Sequence, residues 1–314
     1  MRNVDIEVFS IAQTKVNPDA VRRWLDFIGA KEFEIPEEDA CSDPAFLVAL
    51  AAKRCYMSFE AGLNPNVTKV RKDMTEYLDN VLKSGHGSVL EHACYTFAIE
   101  NISRVFTGEM NRHRAGVGIS EGSMRYIRYR DIPSWLPTSI TLTKEEAALK
   151  DKIVSIAGDL KCDHDGPELG LVPHESVLEM LTPDELEMRP LMTKKVLTQH
   201  VFRRHYGQTE VNYQEIQDIW KEELAPDSKF HGKKQITSMA RRIIPMGVAT
   251  GGVWTMNLRA VRHIIALRAS EAAEEEIAYV FGKIAKIITE QEPMLMGDFT
   301  QDENGFWTPK YKKV

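Results

Sequence analysis

The sequence predicts an α+β protein in which helices surround a sheet and an extended helical insert interrupts the chain. Apolar residues recur at helical spacing over residues 66–85, residues 93–100 alternate like a strand, and residues 143–236 are polar with helical spacing. A chain of 314 residues can bury a substantial core. We therefore expect a single domain over residues 1–314, with the helical insert at about 145–235.

The N-terminal third predicts helices. Asn17 and Pro18 form a cap and first-turn pair that opens a helix through Phe27. An alanine-rich segment predicts a second helix over Ala45 to Met57. A third is expected from Asn66 until Gly85 ends it, because its apolar residues keep helical spacing.

A strand followed by a helix and a glycine-rich loop is expected next. The strand covers residues 93–100, ACYTFAIE, and a short helix runs from Ser103 to about Asn111. Gly116, Gly118 and Gly122 then predict a loop whose backbone can approach a ligand closely.

The last part of the chain predicts further helices. Capping boxes stand at Thr143/Glu146 and at Thr182/Glu185. Helices are expected from about Trp254 to Arg268 and from Glu271 to Glu290, and the tail TPKYKKV is expected to be solvated or to contact another subunit.

Composition limits the class of protein. The net charge of −6 and the pI near 5.9 oppose a general nucleic-acid binder, which needs a basic face. No apolar run approaches the roughly 20 residues of a membrane span, and the N-terminus lacks the apolar core of a signal peptide, so we expect no membrane and a cytoplasmic location. The four cysteines have no CxxC spacing, which favours reduced thiols.

Residues 111–126, NRHRAGVGISEGSMRY, have the composition of an anion site. Arginine suits phosphate because its planar fork donates paired, charge-assisted hydrogen bonds, and glycines expose backbone N–H groups for oxyanions. The pattern alone is equally consistent with a surface cluster of salt bridges.

Residues 85–92, GHGSVLEH, carry two histidines and a glutamate. Their spacing is not the HExxH of zinc proteases, so we expect no metal site. His92 is interpreted as a core histidine at the start of a strand, whereas His86, between two glycines, is expected to face a ligand.

Several colinear segments resemble flavin-dependent thymidylate synthases. SGHGSVLEHACYTF, ISRVFTGEMNRHR and SEGSMRY are similar to the family's histidine-bearing segment, its SR helix and its RHR-loop-S-x-RY signature. ARRIIP and TMNLRAVRHIIALRASEAAEEEI resemble its C-terminal nucleotide-binding region. The resemblance covers roughly residues 84–130 and 239–280.

This resemblance implies reductive methylation at carbon 5 of a uridine 5′-monophosphate, without a cysteine nucleophile. It also implies a mixed sheet core, FAD, NADPH as reductant, 5,10-methylene-tetrahydrofolate as carbon donor, and a homotetramer with active sites between subunits. The positions it places near FAD are Arg112, His113, Arg114, His86, Ser88, Glu91, Asn257, Arg259 and His263. His263 could serve the flavin or the nucleotide.

The positions that the resemblance places at the nucleotide are Glu109, Glu121, Ser123, Arg125, Arg241 and Arg268. Arg268 and Ser123 belong to the reaction centre, with Arg268 over the pyrimidine. Ser123 is interpreted as a hydrogen-bonding residue because no base stands beside it in sequence. Arg125 and Arg241 are expected to hold the phosphate.

One departure leaves the substrate open. Between the RHR triplet and Ser123, AGVGISEG supplies eight residues where the family commonly has seven, with the extra one within Ala115 to Ile119. The substrate could be dUMP, or ribo-UMP as in the methylases of modified-nucleoside pathways. A non-catalytic nucleotide- or RNA-binding protein is the alternative from another class; bound flavin would distinguish the enzyme from it.

Overall fold

The computed structural model describes residues 2–37, 40–67, 69–159 and 175–314. These form two compact units. One consists of Asp5–Gly122 with Thr250–Val314, and the other of Met1–Val4 with Ser123–Ala249. We call them the sheet unit and the helical unit.

The described chain contains both strands and helices. The strands are β1 (Arg2–Asn3), β2 (Glu7–Gln13), β3 (Cys94–Ser103), β4 (Val117–Glu121), β5 (Pro133–Ser134), β6 (Ala249–Asn257), β7 (Phe299–Gln301) and β8 (Trp307–Pro309). The helices are α1 (Pro18–Phe27), α2 (Asp43–Tyr56), α3 (Met74–Lys83), α4 (Arg104–Met110), α5 (Lys144–Asp159), α6 (Glu175–Leu178), α7 (Pro183–Ile219), α8 (Phe230–Ala240), α9 (Leu258–Arg268), α10 (Glu275–Gln291) and α11 (Pro293–Met296).

The sheet unit is built on a four-stranded sheet in the order β2-β3-β6-β4. β2 pairs antiparallel with β3, and β4 pairs antiparallel with β6, where Val117 lies opposite Met256. Helices α4, α9 and α10 belong to the same unit. The α+β class expected from the sequence is confirmed.

Aromatic side chains form the core of the sheet unit. Phe97, Phe106, Trp254 and Phe281 are fully buried. Phe106 meets the Trp254 ring edge to face, with ring centroids 6.0 Å apart, and stacks on Phe281 at 6.5 Å. Each such burial contributes about 1.5–3 kcal/mol, so this cluster fixes α4 and α10 to the sheet.

Side-chain caps fix the first two helix starts, and the sequence predicted the first of these caps. Asn17 Oδ1 accepts a hydrogen bond from Ala20 N at 3.1 Å, and α1 runs to Phe27 as expected. α2 begins two residues before the predicted Ala45, because the hydroxyl of Ser42 accepts from the Ala45 N–H.

The predicted start of the third helix at Asn66 was wrong. α3 begins at Met74, where the Asp73 side chain accepts from Glu76 N at 2.7 Å and caps the helix. Val67 and Val70 lie outside it. Their spacing matched a helix by coincidence, and the cap, rather than the periodicity, fixes the boundary.

Two strands were also mistaken for other structure. The expected glycine-rich loop contains β4, and the helix expected from Trp254 begins only at Leu258 because residues 249–257 form β6. β6 lies between β3 and β4, so its main chain can bond on both sides, which sequence spacing does not reveal. The expected helix from Glu271 begins at Glu275 after the Glu274 cap.

The helical unit has its own apolar clusters. One includes Ile153, Val177 and Met192 from α5, α6 and α7, and another includes Ile132 and Tyr206. Both predicted capping boxes are confirmed, since in each the threonine hydroxyl and the glutamate carboxylate accept reciprocally. Helices thus dominate residues 145–235 where described; their interpretation as an insert in a single domain stays a prediction. The polar sequence DHDGPELG, residues 163–170 within the expected insert, lies outside the described residues.

No helix within the described ranges is long and apolar enough to cross a membrane.

Candidate functional site

Arg268 is the centre of a polar cluster in the sheet unit. It ends α9, and its side chain is 17% exposed. Its Nε donates to His113 Nε2 at 3.0 Å, and its guanidinium donates to Glu109 Oε2 at 2.7 Å. Three positions that the family resemblance named separately are therefore brought together here.

The protonation of His113 follows from this contact. Because Nε2 accepts a hydrogen bond from Arg268, it carries no proton in this arrangement. Burial lowers the pKa of His113 below its ordinary value near 6.5, the positive charge of Arg268 lowers it further, and His263 adds to the effect. The Glu109 carboxylate opposes these effects without overcoming them. His263 is exposed, with its ring centroid 6.4 Å from that of His113.

Glu121, at the end of β4, is held by two residues that sequence reasoning did not assign. Arg104 forms an ion pair with its carboxylate, and Asn111 Nδ2 donates to Glu121 Oε2 at 3.4 Å. Arg104 also donates to the Gly122 carbonyl at 2.5 Å. The sequence feature that could have indicated Arg104 is its position as the first residue of α4, directly after the Ser103 cap.

A cavity of about 360 Å³ lies beside the segment 85–89 in the sheet unit. His86, Ser88 and Arg259, three of the positions that the resemblance places near FAD, line it. Tyr56 also lines it, and its ring stacks on His86 with centroids 5.5 Å apart while its hydroxyl lies 3.1 Å from His86 Nε2. Tyr56 and the neighbouring Cys55 were missed, because they end α2 outside every recognised motif.

Gly87 is required where it stands. A Cβ on this residue would lie 2.5 Å from the main-chain carbonyl carbon of Val314 and 2.8 Å from Arg259 Nε, so a larger side chain would displace both the C-terminal residue and the guanidinium. Arg259 also forms an ion pair with Glu91 at 2.6 Å, and both side chains are about half exposed (47%). The two predicted flavin-side residues thus hold each other in place.

The interpretation of His92 as a core residue was wrong. It is exposed at the end of a 3₁₀ helix, Gly87–His92, and lines a second cavity of about 450 Å³ together with Trp24 of α1. The strand begins two residues later, at Cys94. The unpredicted 3₁₀ turn rotates the histidine away from the core.

Asn257 joins strand to helix. Its side chain accepts from Ala260 N at 2.8 Å and caps α9, while its main-chain N–H donates to the Gly116 carbonyl at 2.9 Å. Gly116 has φ of +71°, and its Cα faces the Asn257 amide so closely that no side chain has room. The start of α9 and the turn before β4 are thereby fixed together.

The remaining predicted residues are less enclosed. Arg112 and Arg114 are exposed, and neither forms an ion pair with any residue that the structure describes. In the helical unit, the Ser123 hydroxyl accepts from Arg125 N at 3.4 Å. Arg125 and Arg241 are both exposed; Arg241 opens the short 3₁₀ turn Arg241–Ile243.

No group of histidine, cysteine, aspartate and glutamate suited to a metal ion occurs among the described residues.

The sequence matches the model of a known protein family. The family model described as thymidylate synthase complementing protein matches residues 38–294. The chain belongs to this family. As a thymidylate synthase complementing protein, it is an enzyme of the flavin-dependent thymidylate synthase type.

Two bacterial relatives have the name flavin-dependent thymidylate synthase. The protein from Mycobacteroides abscessus is 30% identical over 274 residues, which cover 87% of this chain and 86% of the relative. The protein from Geobacter sulfurreducens is 37% identical over 120 residues; that match spans 37% of this chain and half of the relative's length.

Solved structures support the same fold. The crystal structure of the UMP/dUMP methylase PolB from Streptomyces cacaoi bound with 5-Br UMP matches with a TM-score of 0.52 at 15% identity, covering 94% of each chain. The same protein bound with 5-Br dUMP matches with a TM-score of 0.52 at 17% identity, covering 95% of this chain and 96% of that one.

Proposed function

We propose that this enzyme catalyses FAD-dependent reductive methylation at carbon 5 of dUMP, with 5,10-methylene-tetrahydrofolate as carbon donor and NADPH as reductant. Family membership and the names of the relatives support the reaction class. The observation that carries the proposal is the contact of Arg268 with both His113 and Glu109, which joins the RHR segment, α4 and α9.

Arg268 would act on the pyrimidine as an oriented cation. Its bonds to His113 and Glu109 use only part of its N–H donors, so the others remain for a carbonyl of the uracil ring. Carbon 5 of uracil is a weak nucleophile, and a positive group at a ring carbonyl stabilises negative charge that develops there. Because Glu109 and His113 fix the guanidinium in advance, little reorganisation is needed on binding.

The cavity beside residues 85–89 has a lining suited to part of a flavin dinucleotide. Arg259 offers a cation for a diphosphate, Ser88 offers a hydroxyl, and the Tyr56–His86 pair offers an aromatic surface. FAD, when bound, supplies the redox chemistry that a side chain cannot. Asn257, Arg112 and Arg114 stay proposed contacts of the cofactor.

Ser123, Arg125 and Arg241 stay proposed contacts of the nucleotide. Exposed guanidinium groups can take up a phosphate without first breaking an ion pair, and Arg125 forms none within the described ranges. Arg125→Ala is expected to weaken nucleotide binding severely, because it removes a charged partner from a dianion. Calorimetric titration with dUMP measures this; unaltered affinity would contradict the assignment.

The function is tested by reconstitution. The purified protein should show visible flavin absorbance. With FAD, NADPH, the folate and dUMP it should give a product that is heavier by one CH₂ unit in mass spectrometry, because a methyl group replaces the hydrogen on carbon 5. A folded protein that binds no flavin, or leaves both dUMP and UMP unmodified, would contradict the proposal. We also propose a cytoplasmic location for the enzyme.

Ribo-UMP is the alternative substrate. The additional residue between the RHR triplet and Ser123 motivates it, since the segment from Ala115 leads into edge strand β4. Ala115 is exposed in the turn before the strand. Deleting it should change the ratio of UMP to dUMP turnover while FAD stays bound. A site that hydrogen-bonds the 2′-hydroxyl favours UMP, whereas a site without room or a partner for that hydroxyl favours dUMP. An unchanged ratio in a flavin-loaded variant would show that this residue does not select the sugar.

A further inference from the structure

A cationic cavity lies wholly within the helical unit. It has a volume of about 400 Å³ and is bordered by Arg125 and by one face of α8 with the turn that follows. Its lining residues are Arg125, His231, Lys234, Gln235, Ser238, Met239 and Arg242. Arg242 lines it, whereas Arg241, which the family resemblance named, does not.

The charge of this cavity is unbalanced. Arg125, Lys234 and Arg242 contribute three positive charges, and none of the lining residues is acidic. None of the three forms an ion pair with a carboxylate in the part of the chain that the structure describes. Because the protein as a whole carries a net charge of −6, a general excess of base does not explain the cluster. Like charges around one cavity repel each other unless an anion binds there.

An aromatic surface adjoins the cations. The Tyr126 ring stacks on Phe230 with centroids 5.8 Å apart and planes inclined by 12°, and both rings are at least half exposed. Lys234 Nζ lies 5.4 Å from the Tyr126 centroid, and Arg125 Cζ lies 5.7 Å from it. Cations beside an exposed flat ring match a ligand that combines a phosphate with a planar base.

We propose that Arg125, Lys234 and Arg242 together bind a phosphate monoester group of a nucleotide. Lys234 and Arg242 thereby become binding residues that the resemblance did not assign: Lys234 lies outside every recognised segment, and Arg242 follows the assigned Arg241 within ARRIIP. This inference rests on the proposed function, because that reaction offers two sources of the group. One is the 5′-phosphate of the uridine nucleotide, and the other is the 2′-phosphate of NADPH.

Charge-neutral variants test the proposal in the flavin-loaded full chain. Lys234→Gln and Arg242→Gln should each weaken binding roughly tenfold, because each removes one charge-assisted contact. Lys229→Gln is the matched control: it removes the same charge from the residue before α8, exposed and outside the cavity, and should bind as the wild type does. Melting temperature and flavin absorbance report whether each variant is folded.

Paired ligands identify the source. Calorimetric titration compares dUMP with deoxyuridine, and steady-state flavin reduction compares NADPH with NADH, which lacks the 2′-phosphate. A loss confined to dUMP assigns the cavity to the substrate phosphate, and a loss confined to NADPH assigns it to the reductant; either supports the proposal. If both variants bind dUMP as tightly as the wild type does, and NADPH reduces their flavin as it does in the wild type, the proposal is overturned. Since binding is measured without methyl transfer, a failure of the proposed reaction is distinguishable from a failure of this site.

Discussion

The pKa of His113 depends on its burial and on three neighbours, Arg268, His263 and Glu109. Burial and the charge of Arg268 favour the neutral imidazole, whereas Glu109 favours the charged one. In the neutral form Nε2 can accept from Arg268; once protonated, the imidazolium would repel the guanidinium. The orientation of Arg268 is therefore coupled to pH.

We expect the pKa of His113 to rise towards 6.5 in the Arg268→Gln variant, measured by NMR titration of the ring protons. Because the pKa is lowered in the folded wild type, His113 contributes stability that is present above pH 6.5 and is lost as the pH falls through the lower folded value. Binding of dUMP to the wild type should weaken in the same acidic range. A pKa in the variant equal to or below that of the wild type would contradict the described contact.

Cys55 offers a chemical probe of the cavity that we assign to FAD. It is exposed and lines that cavity, whereas burial raises the pKa of the Cys94 thiol and so disfavours its reactive thiolate. Maleimide should label Cys55 in the flavin-free protein, and bound FAD should protect it severalfold. Peptide mass mapping measures both sites, with Cys94 as the internal reference and Cys55→Ser as the control. Equal labelling of Cys55 with and without FAD would place the cofactor elsewhere.

Single residues were predictable where a motif named them. Glu109 and His113 were assigned from one segment and Arg268 from another far along the chain, and the fold brings the three into contact. Tyr56 and Lys234 could not be found in this way. Each reaches its cavity from the exposed side of an ordinary helix, where spacing distinguishes buried from solvated positions but does not indicate a ligand.

At the scale of elements, Ser103 joins α4 to α10. Its hydroxyl accepts from Val105 N at 3.0 Å as the cap of α4 and donates to the buried carboxylate of Glu276, which also accepts from Ser103 N. Burial raises the pKa of Glu276, and the two bonds from Ser103 oppose that rise. The start of α4 thus depends on a residue in the first turn of another helix.

We predict that Ser103→Ala lowers the free energy of unfolding by about 1–3 kcal/mol, because it removes a helix cap and leaves a buried carboxylate with one partner fewer. Urea unfolding followed by circular dichroism measures this. Ser84→Ala, at an exposed position after α3, is the control and should stay within about 0.5 kcal/mol of the wild type. Equal stability of the two variants would contradict the role of Ser103.

Most helices were predictable from local chemistry, and most strands were not. Asn17 and Thr182 cap their helices by bonds within a few residues, so the sequence alone indicates them. β4 and β6 depend on pairing between residues as far apart as Val117 and Met256. β4 has only five residues, one of them a glycine, so little in its own sequence distinguishes it from a loop, and its pairing with β6 defines it.

At the scale of the whole molecule, assembly is the open prediction. The family resemblance implies a homotetramer whose active sites lie at subunit interfaces. We expect light scattering to give four times the chain mass of 35.7 kDa, and specific activity to fall on dilution as subunits separate. Full activity of a species with the mass of one chain would contradict both expectations.

Arg262 and Asp298 form a buried ion pair, with two bonds of 2.6 and 2.8 Å and side chains no more than 5% exposed. Arg262 lies on α9, the helix that also carries Arg259 and Arg268, yet Asp298 belongs to none of the recognised motifs. Removing one member of such a pair costs about 3–5 kcal/mol. Loss of Asp298 would therefore leave every signature residue in place and still destabilise the protein, so a motif search reports the chemistry of the site but not the stability of the helix that carries it.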